Sequence, residues 1–251
     1  MNCRIRKMTV LVVIGLAAML IPSAVCGQNP KAEQQAEQQK RVAEFKKAVQ
    51  QSMAALKKYE WIETTTVSMK GEVKSQKQNR CHYGADGKIQ KIPIGEAAPP
   101  PEQQSSRRGG RLKKKIVENK KEEINDYMKK AVEIVHKYVP PDPNLIKNSK
   151  EAGKVKVDQV EPNRIVRVTI RDMVKAGDML TATLNVQLNA IMDINVLTYL
   201  ESQKDDPVTL AVTMNQLADG ASYTAKSVLD AKSKNMTVVV ESSGQIGRAH
   251  V

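Results

Sequence analysis

Rings are scarce in this chain: one Trp, one Phe and six Tyr make up 3% of its 251 residues. Any cavity is therefore expected to be aliphatic and featureless, suited to acyl chains more than to flat ring ligands. Cysteine is as sparse. Cys3 and Cys26 lie in an apolar leader, which leaves Cys81 alone in the remainder and excludes an internal disulfide. A lone strand cysteine reads as a small apolar filler, not a nucleophile. Of the three histidines, only His82 and His136 lie in the body of the chain, and neither shares a ligand spacing with a cysteine or a carboxylate pair. The sequence has no Gly-x-Ser-x-Gly elbow, no phosphate-cradling glycine loop and no paired zinc histidines. Asp205 and Asp206 precede Pro207 and read as a turn, not an acid–base pair. The chain is read as non-enzymatic, with no catalytic residue, metal ligand or cofactor. A hydrolytic alternative would need His82, His136 or carboxylates to converge in a cleft.

The chain opens with Arg4, Arg6 and Lys7, an apolar stretch from Met8 to Pro22, and the small-residue exit Ser23-Ala24-Val25-Cys26-Gly27. This is the anatomy of a secretory signal peptide, too short for the roughly 20 residues of a spanning helix. Cleavage is expected after Gly27, giving a periplasmic or secreted protein with no transmembrane span in the mature chain. Lipidation at Cys26 is the alternative, although Ser23 and Val25 fit a lipoprotein signal poorly. At the other end, Ile246-Gly247-Arg248-Ala249-His250-Val251 matches one reading frame of a common short-read sequencing adapter. Residues 246–251 are set aside as an artefact, and 28–245 are expected to form one domain.

The formal net charge is +13. Most of it sits in Arg107, Arg108, Arg111, Lys113, Lys114, Lys115, Lys120 and Lys121, against Glu118. The patch is either a solvated helix start or a contact for an anionic envelope surface. Nucleic acid is disfavoured, because no aromatics interleave with the charges and the chain is read as exported.

Val42, Phe45, Val49, Met53 and Leu56 mark one face of a first helix between Gln28 and Tyr59. Trp61 to Met69, Val73 to Tyr83 and Lys88 to Ile94 read as polar edge strands, turning at Gly71 and Ala85-Asp86-Gly87. Residues 95–111 form a flexible loop rich in Pro, Ser, Gln and Gly. Leu112 to Val139 is a second helix, charged at its start, with Ile124, Met128, Ala131, Val135 and Tyr138 on one face at its end. Asp142 and Pro143 suit the cap and first turn of a short third helix ending at Gly153.

Lys154 to Ser243 organises the rest. Leu180, Ala182, Leu184, Val186 and Leu188 alternate with Thr181, Thr183, Asn185 and Gln187, and period two marks a half-buried strand. Val166-Val168-Ile170, Met192-Ile194-Val196, Val208-Leu210-Val212-Met214 and Met236-Val238-Val240 repeat the pattern. Turn signals at roughly ten-residue spacing leave no room for crossover helices, so the seven strands form an antiparallel meander. The expected fold is α+β: a curved antiparallel sheet of about ten strands, half-barrel-like, covered on one face by helices.

Met69, Met192, Met214 and Met236 all fall on the apolar strand faces. They are either ordinary core filling or a surface that adapts to different apolar guests. With Ile194 and Leu210 they are the candidate lining of a ligand cavity.

The order of leader, helix, strands, helical insertion and long meander, with its Leu217-Ala218-Asp219-Gly220 turn, resembles the half-barrel superfamily of periplasmic lipoprotein carriers and envelope lipoproteins. Tyr83-Gly84-Ala85-Asp86-Gly87-Lys88 and Tyr138-Val139-Pro140-Pro141-Asp142-Pro143 are similar to segments of uncharacterised secreted bacterial proteins. The resemblance implies helices closing a curved sheet over an apolar cavity that shields an acyl chain. Two functions are carried forward: binding of a lipid, acyl chain or lipidated partner in that cavity, or a structural and interaction module of the cell envelope with a solid core and no ligand.

Overall fold

Ten strands form a single open antiparallel sheet in the computed structural model, which describes residues 30–95, 110–139 and 141–247. Helix α1 (Pro30–Leu56) leads into β1 (Tyr59–Met69), β2 (Glu72–Tyr83) and β3 (Ile89–Ile94). Helices α2 (Gly110–Val135) and α3 (Pro143–Glu151) follow. The meander is β4 (Val155–Glu161), β5 (Ile165–Arg171), β6 (Met179–Asn185), β7 (Ala190–Tyr199), β8 (Pro207–Gln216), β9 (Ser222–Ala231) and β10 (Met236–Gly247), with a 3-10 turn at Lys232–Lys234. The leader, Cys26, most of the 95–111 loop and residues 248–251 lie outside the described residues.

The order across the sheet is β3-β2-β1-β10-β9-β8-β7-β6-β5-β4, so the first and last strands pair in its interior and β3 and β4 form its two edges. The β3–β4 connection must therefore cross the whole sheet. Nine strand spacings cover about 43 Å, and the 26 residues of α2 extend about 39 Å. One helix of this length is long enough to supply most of the crossing.

Residues opposite one another across the sheet explain where the core sits. Val155, Ile170, Leu180, Val196, Leu210, Leu229, Val238 and Val67 form one continuous row over eight strands. A second row runs through Val157, Val168, Ala182, Ile194, Val212, Ser227, Val240 and Thr65. Phe45 and Val49 of α1, Met128, Ala131 and Val135 of α2, and Ile146 of α3 are buried in the same apolar cluster. As expected, β3 is an edge strand and β2 is largely exposed. Ile246 and Gly247, assigned above to the artefact, continue β10 opposite Glu60 and Tyr59. Main-chain pairing of this kind is indifferent to side-chain identity.

α2 ends at Val135, earlier than the prolines alone predict. Its last turn tightens: Lys137 N–H donates to the Ile134 carbonyl at 3.1 Å and Tyr138 N–H to that of Val135 at 3.0 Å. α3 begins as expected, with Asp142 accepting from Asn144 N–H at 2.8 Å ahead of Pro143.

The two ends of the sheet differ in regularity. Four of the five register shifts, at Gln159/Glu161, Thr183/Leu184, Thr213/Met214 and Glu60/Ile62, fall toward the end carrying the β6–β7 and β8–β9 hairpins; the fifth, at Val67/Ser68, lies at the opposite end. The shift beside Leu184 overturns the expected position of Met192. Ile191 takes the inward place opposite Leu184, and Met192 is the extra residue, 41% exposed. One inserted residue reverses the side-chain parity of everything beyond it. Thr183 and Asn185, expected to face water, are buried near the same hairpin. Thr183 bonds Asp193 at 3.1 Å, and Asn185 accepts from the Gln187 and Leu188 amides.

Candidate apolar cleft

A cleft of about 110 Å³ opens at the bulged end, between α1 and the sheet. Ala48, Val49, Ser52, Met53 and Leu56 reach it from α1, a spacing that keeps them on one helical face. Leu188, Asn189, Ala190 and Ile191 come from the β6–β7 hairpin, and Met214 and Gln216 from β8. The remaining wall is aromatic and polar. It includes Tyr59 and Trp61 of β1, Tyr83 of β2, Ile89 of β3, Tyr223 and Thr224 of β9, and Ser242 and Gln245 of β10. Trp61 and Tyr83 pack with ring centroids 5.7 Å apart and planes at 53°, a favourable tilted arrangement.

Two polar ties hold α1 and its exit over this opening. Ser52 Oγ accepts from Ser222 N–H at 2.6 Å and donates to the Ser222 carbonyl at 3.2 Å. Tyr59 Oη donates to Asp219 Oδ2 at 3.0 Å, and this bond raises the phenol's pKa above its ordinary value. Asp219 also accepts from the Ala221 amide at 3.0 Å within a hairpin turn whose Gly220 takes φ +82°, a conformation that suits glycine. Gln245 Nε2 is buried and has no hydrogen-bond partner among the described residues. Such an orphan donor costs about 1–3 kcal/mol.

Only Met214 of the six expected lining residues reaches the cleft. Ile194, Leu210 and Met236 are 2%, 6% and 1% exposed inside the filled core, Met69 is half-buried opposite Met236, and Met192 is exposed. The expectation of a featureless aliphatic cavity is likewise corrected, because the one Trp and three of the six Tyr line this cleft. Tyr59 and Trp61 share the strand spacing that could have pointed to it. Tyr83 was hidden by a further register shift between Val67 and Ser68, which moves Cys81 opposite Trp61. Counting from the Lys70-Gly71 turn without that shift puts Tyr83 on the wrong face.

Arg107 and Arg108 lie outside the described residues. Arg111, Lys113, Lys114 and Lys115 belong to the first turns of α2, where only the backbone is described. Among the described residues, no His, Cys, Asp or Glu cluster is arranged to hold a metal ion. The cleft lining includes neither His82 nor His136 and no carboxylate. Cys81 is buried and in no disulfide, in keeping with its reading as a small apolar filler. Beside it, Lys91 Nζ donates to the buried Glu63 carboxylate at 2.6 Å, an ion pair bridging β3 to β1.

A larger depression of about 620 Å³ lies between α2 and the opposite end of the sheet. Charges of both signs line it, including Glu123, Asp126, Lys130, Glu133, Lys137 and Lys234. Tyr127, Asp206, Lys234 and Glu123 of this lining are engaged in bonds across it. Tyr127 Oη donates to Asp206, Ser233 Oγ lies 2.6 Å from the same carboxylate, and Lys234 pairs with Glu123 at 2.7 Å. Burial, followed by the Asp206 bond, pushes the Tyr127 pKa up to about 12. The Asp205-Asp206 segment is thus a turn, as read from the sequence, and the structure adds its tie to α2.

Fold and cleft together define an α+β protein with an open ten-stranded antiparallel sheet and an apolar opening at one end. No family model matches the chain, and no curated protein or solved structure matches it at a significant level. Among the described residues, no helix is long and apolar enough to cross a membrane.

Proposed function

We propose that this protein is a non-enzymatic binding protein, periplasmic or secreted, that takes an apolar ligand at the open end of a half-barrel-like sheet roofed by helices. The observation that carries the reading is the apolar cleft beneath α1, with Met53, Leu56, Met214 and Trp61 among its walls. Bulges strengthen local twist and bend strands, and four gathered at one end favour curvature there. Size sets the scale of the guest. An enclosed apolar cavity of about 150 Å³ holds benzene, so an open cleft of about 110 Å³ covers one face of a small ring or a short length of chain, with the rest of the guest outside it. Each buried methylene contributes about 0.8 kcal/mol.

The second reading is a structural or interaction module of the cell envelope with a solid core. It draws on the tight burial of Ile194, Leu210 and Met236, which leaves the middle of the sheet filled. Native mass spectrometry of the purified protein separates the two. A co-purified lipid or small apolar compound, released on unfolding, supports the binding reading. A bare protein that also takes up none when incubated with an envelope lipid extract supports the module.

A further inference from the structure

The cleft is built for a narrower guest than an acyl chain. An aliphatic ligand needs only the methyl and methylene surface that Val, Leu, Ile and Met supply, and the rest of this core is mostly of that kind, with Phe45 and Tyr138 among its few rings. At the cleft, however, a ring-poor chain concentrates Tyr59, Trp61, Tyr83 and Tyr223. Aromatic walls favour flat guests, because ring faces and edges carry opposite partial charge and reward stacked or tilted contact beyond simple area burial. Leu188, on the same lining, is 58% exposed and offers apolar surface for a guest to cover. Gln245 adds direction: its buried Nε2 has no partner among the described residues, on a wall otherwise dominated by apolar and ring surface. A donor in that position selects a guest that carries an acceptor.

We propose that the cleft binds a small planar aromatic compound bearing a carbonyl-type acceptor, with the ring against Trp61 and Tyr223 and the acceptor bonded to Gln245 Nε2. This rests on the reading of the cleft as a ligand site and specifies its ligand class.

The chain's one Trp makes the test direct, since its indole N–H gives a single cross-peak in a nitrogen–proton correlation spectrum. Acetophenone, ethylbenzene and octan-2-one, matched in carbon count, are titrated against the purified protein. Acetophenone is expected to shift the Trp61 peak and to bind about fivefold tighter than ethylbenzene, the worth of one hydrogen bond, and tighter than octan-2-one. Gln245→Leu is expected to abolish the preference for acetophenone over ethylbenzene. Octan-2-one binding as tightly as acetophenone would overturn the aromatic assignment while leaving the cleft a ligand site. A preference that survives Gln245→Leu would overturn the role of Gln245. If none of the three moves the peak, the binding reading falls as well. Should the variant lose the dispersed spectrum of the folded chain, the ranking of the three compounds on the unaltered protein still decides.

Discussion

The two ends of the sheet are finished in opposite ways. At the end carrying the β5–β6 and β7–β8 hairpins, the turn that follows α2 is fastened by buried hydroxyl bonds. Tyr138 Oη lies 2.6 Å from Asp178 Oδ2 and 2.9 Å from Thr198 Oγ1, with all three residues buried. Asp178 in turn accepts the amides of Met173, Val174 and Lys175 at 2.7, 2.9 and 2.7 Å. Lys175 stands over the Tyr199 ring at 3.7 Å, and burial lowers its pKa. At the other end, α1 and its exit are held by Ser52 and by the exposed Tyr59–Asp219 bond, and the strands carry bulges. A buried network in which every member is satisfied fixes one arrangement. A partly open apolar end leaves surface that a guest can complete.

Substitutions at the closed end should therefore cost most. Asp178→Ala removes the acceptor of three amides and one phenol and is expected to destabilise the fold by about 3–4 kcal/mol, read as a fall in the urea midpoint. Lys91→Ala removes the ammonium paired with the buried Glu63 carboxylate near the open end, with an expected loss of about 2–3 kcal/mol by the same measurement. Tyr138→Phe keeps the ring and loses the hydroxyl, costing about 1–2 kcal/mol. Ser52→Ala, half-buried at the open end, should cost about 1 kcal/mol. An Asp178→Ala loss no larger than that of Ser52→Ala would erase the contrast between the ends.

Alkaline titration sharpens the same comparison. Burial, and then the bond to Asp178, raises the Tyr138 pKa well above 10.0 in the folded state. Above that pH the unfolded chain releases the phenolic proton while the folded chain retains it. Stability from this group is thus complete below pH 10 and declines as pH rises toward the folded value. Tyr127 acts in the same direction, up to about 12. Tyr138→Phe should flatten this alkaline loss, measured as urea midpoints between pH 8 and about 11.5. Tyr59, whose bond to Asp219 is exposed at the open end, gives the smallest effect: Asp219→Asn should lower the pH at which its phenol ionises, followed by ultraviolet absorbance, with the urea midpoint unchanged.

How far the sequence reveals these ends follows from the same chemistry. The meander was legible because Leu180-Ala182-Leu184 and Val208-Leu210-Val212 alternate without interruption through the middle of the sheet. The turns at Gly71, Gly87 and Gly220 were legible because each needs a positive φ. The cleft was not legible, because register is set across strands. An inserted residue at Met192 or beside Val67 leaves no mark in a period-two pattern read along one strand. The Asp178 cradle was visible only as a turn, since nothing in Lys175-Ala176-Gly177-Asp178 announces that Tyr138, 40 residues earlier, will bond to it.

Hydrogen exchange, recorded with and without saturating acetophenone, tests the central contrast most directly. The amides of residues 172–178 and the second half of α2 should exchange slowly and be indifferent to the compound. Those of residues 44–56 and of the β8–β9 hairpin should exchange faster and slow when it is added. Protection appearing instead around Tyr138 and Asp178, or uniform slow exchange at both ends, would contradict a sheet closed at one end and receptive at the other.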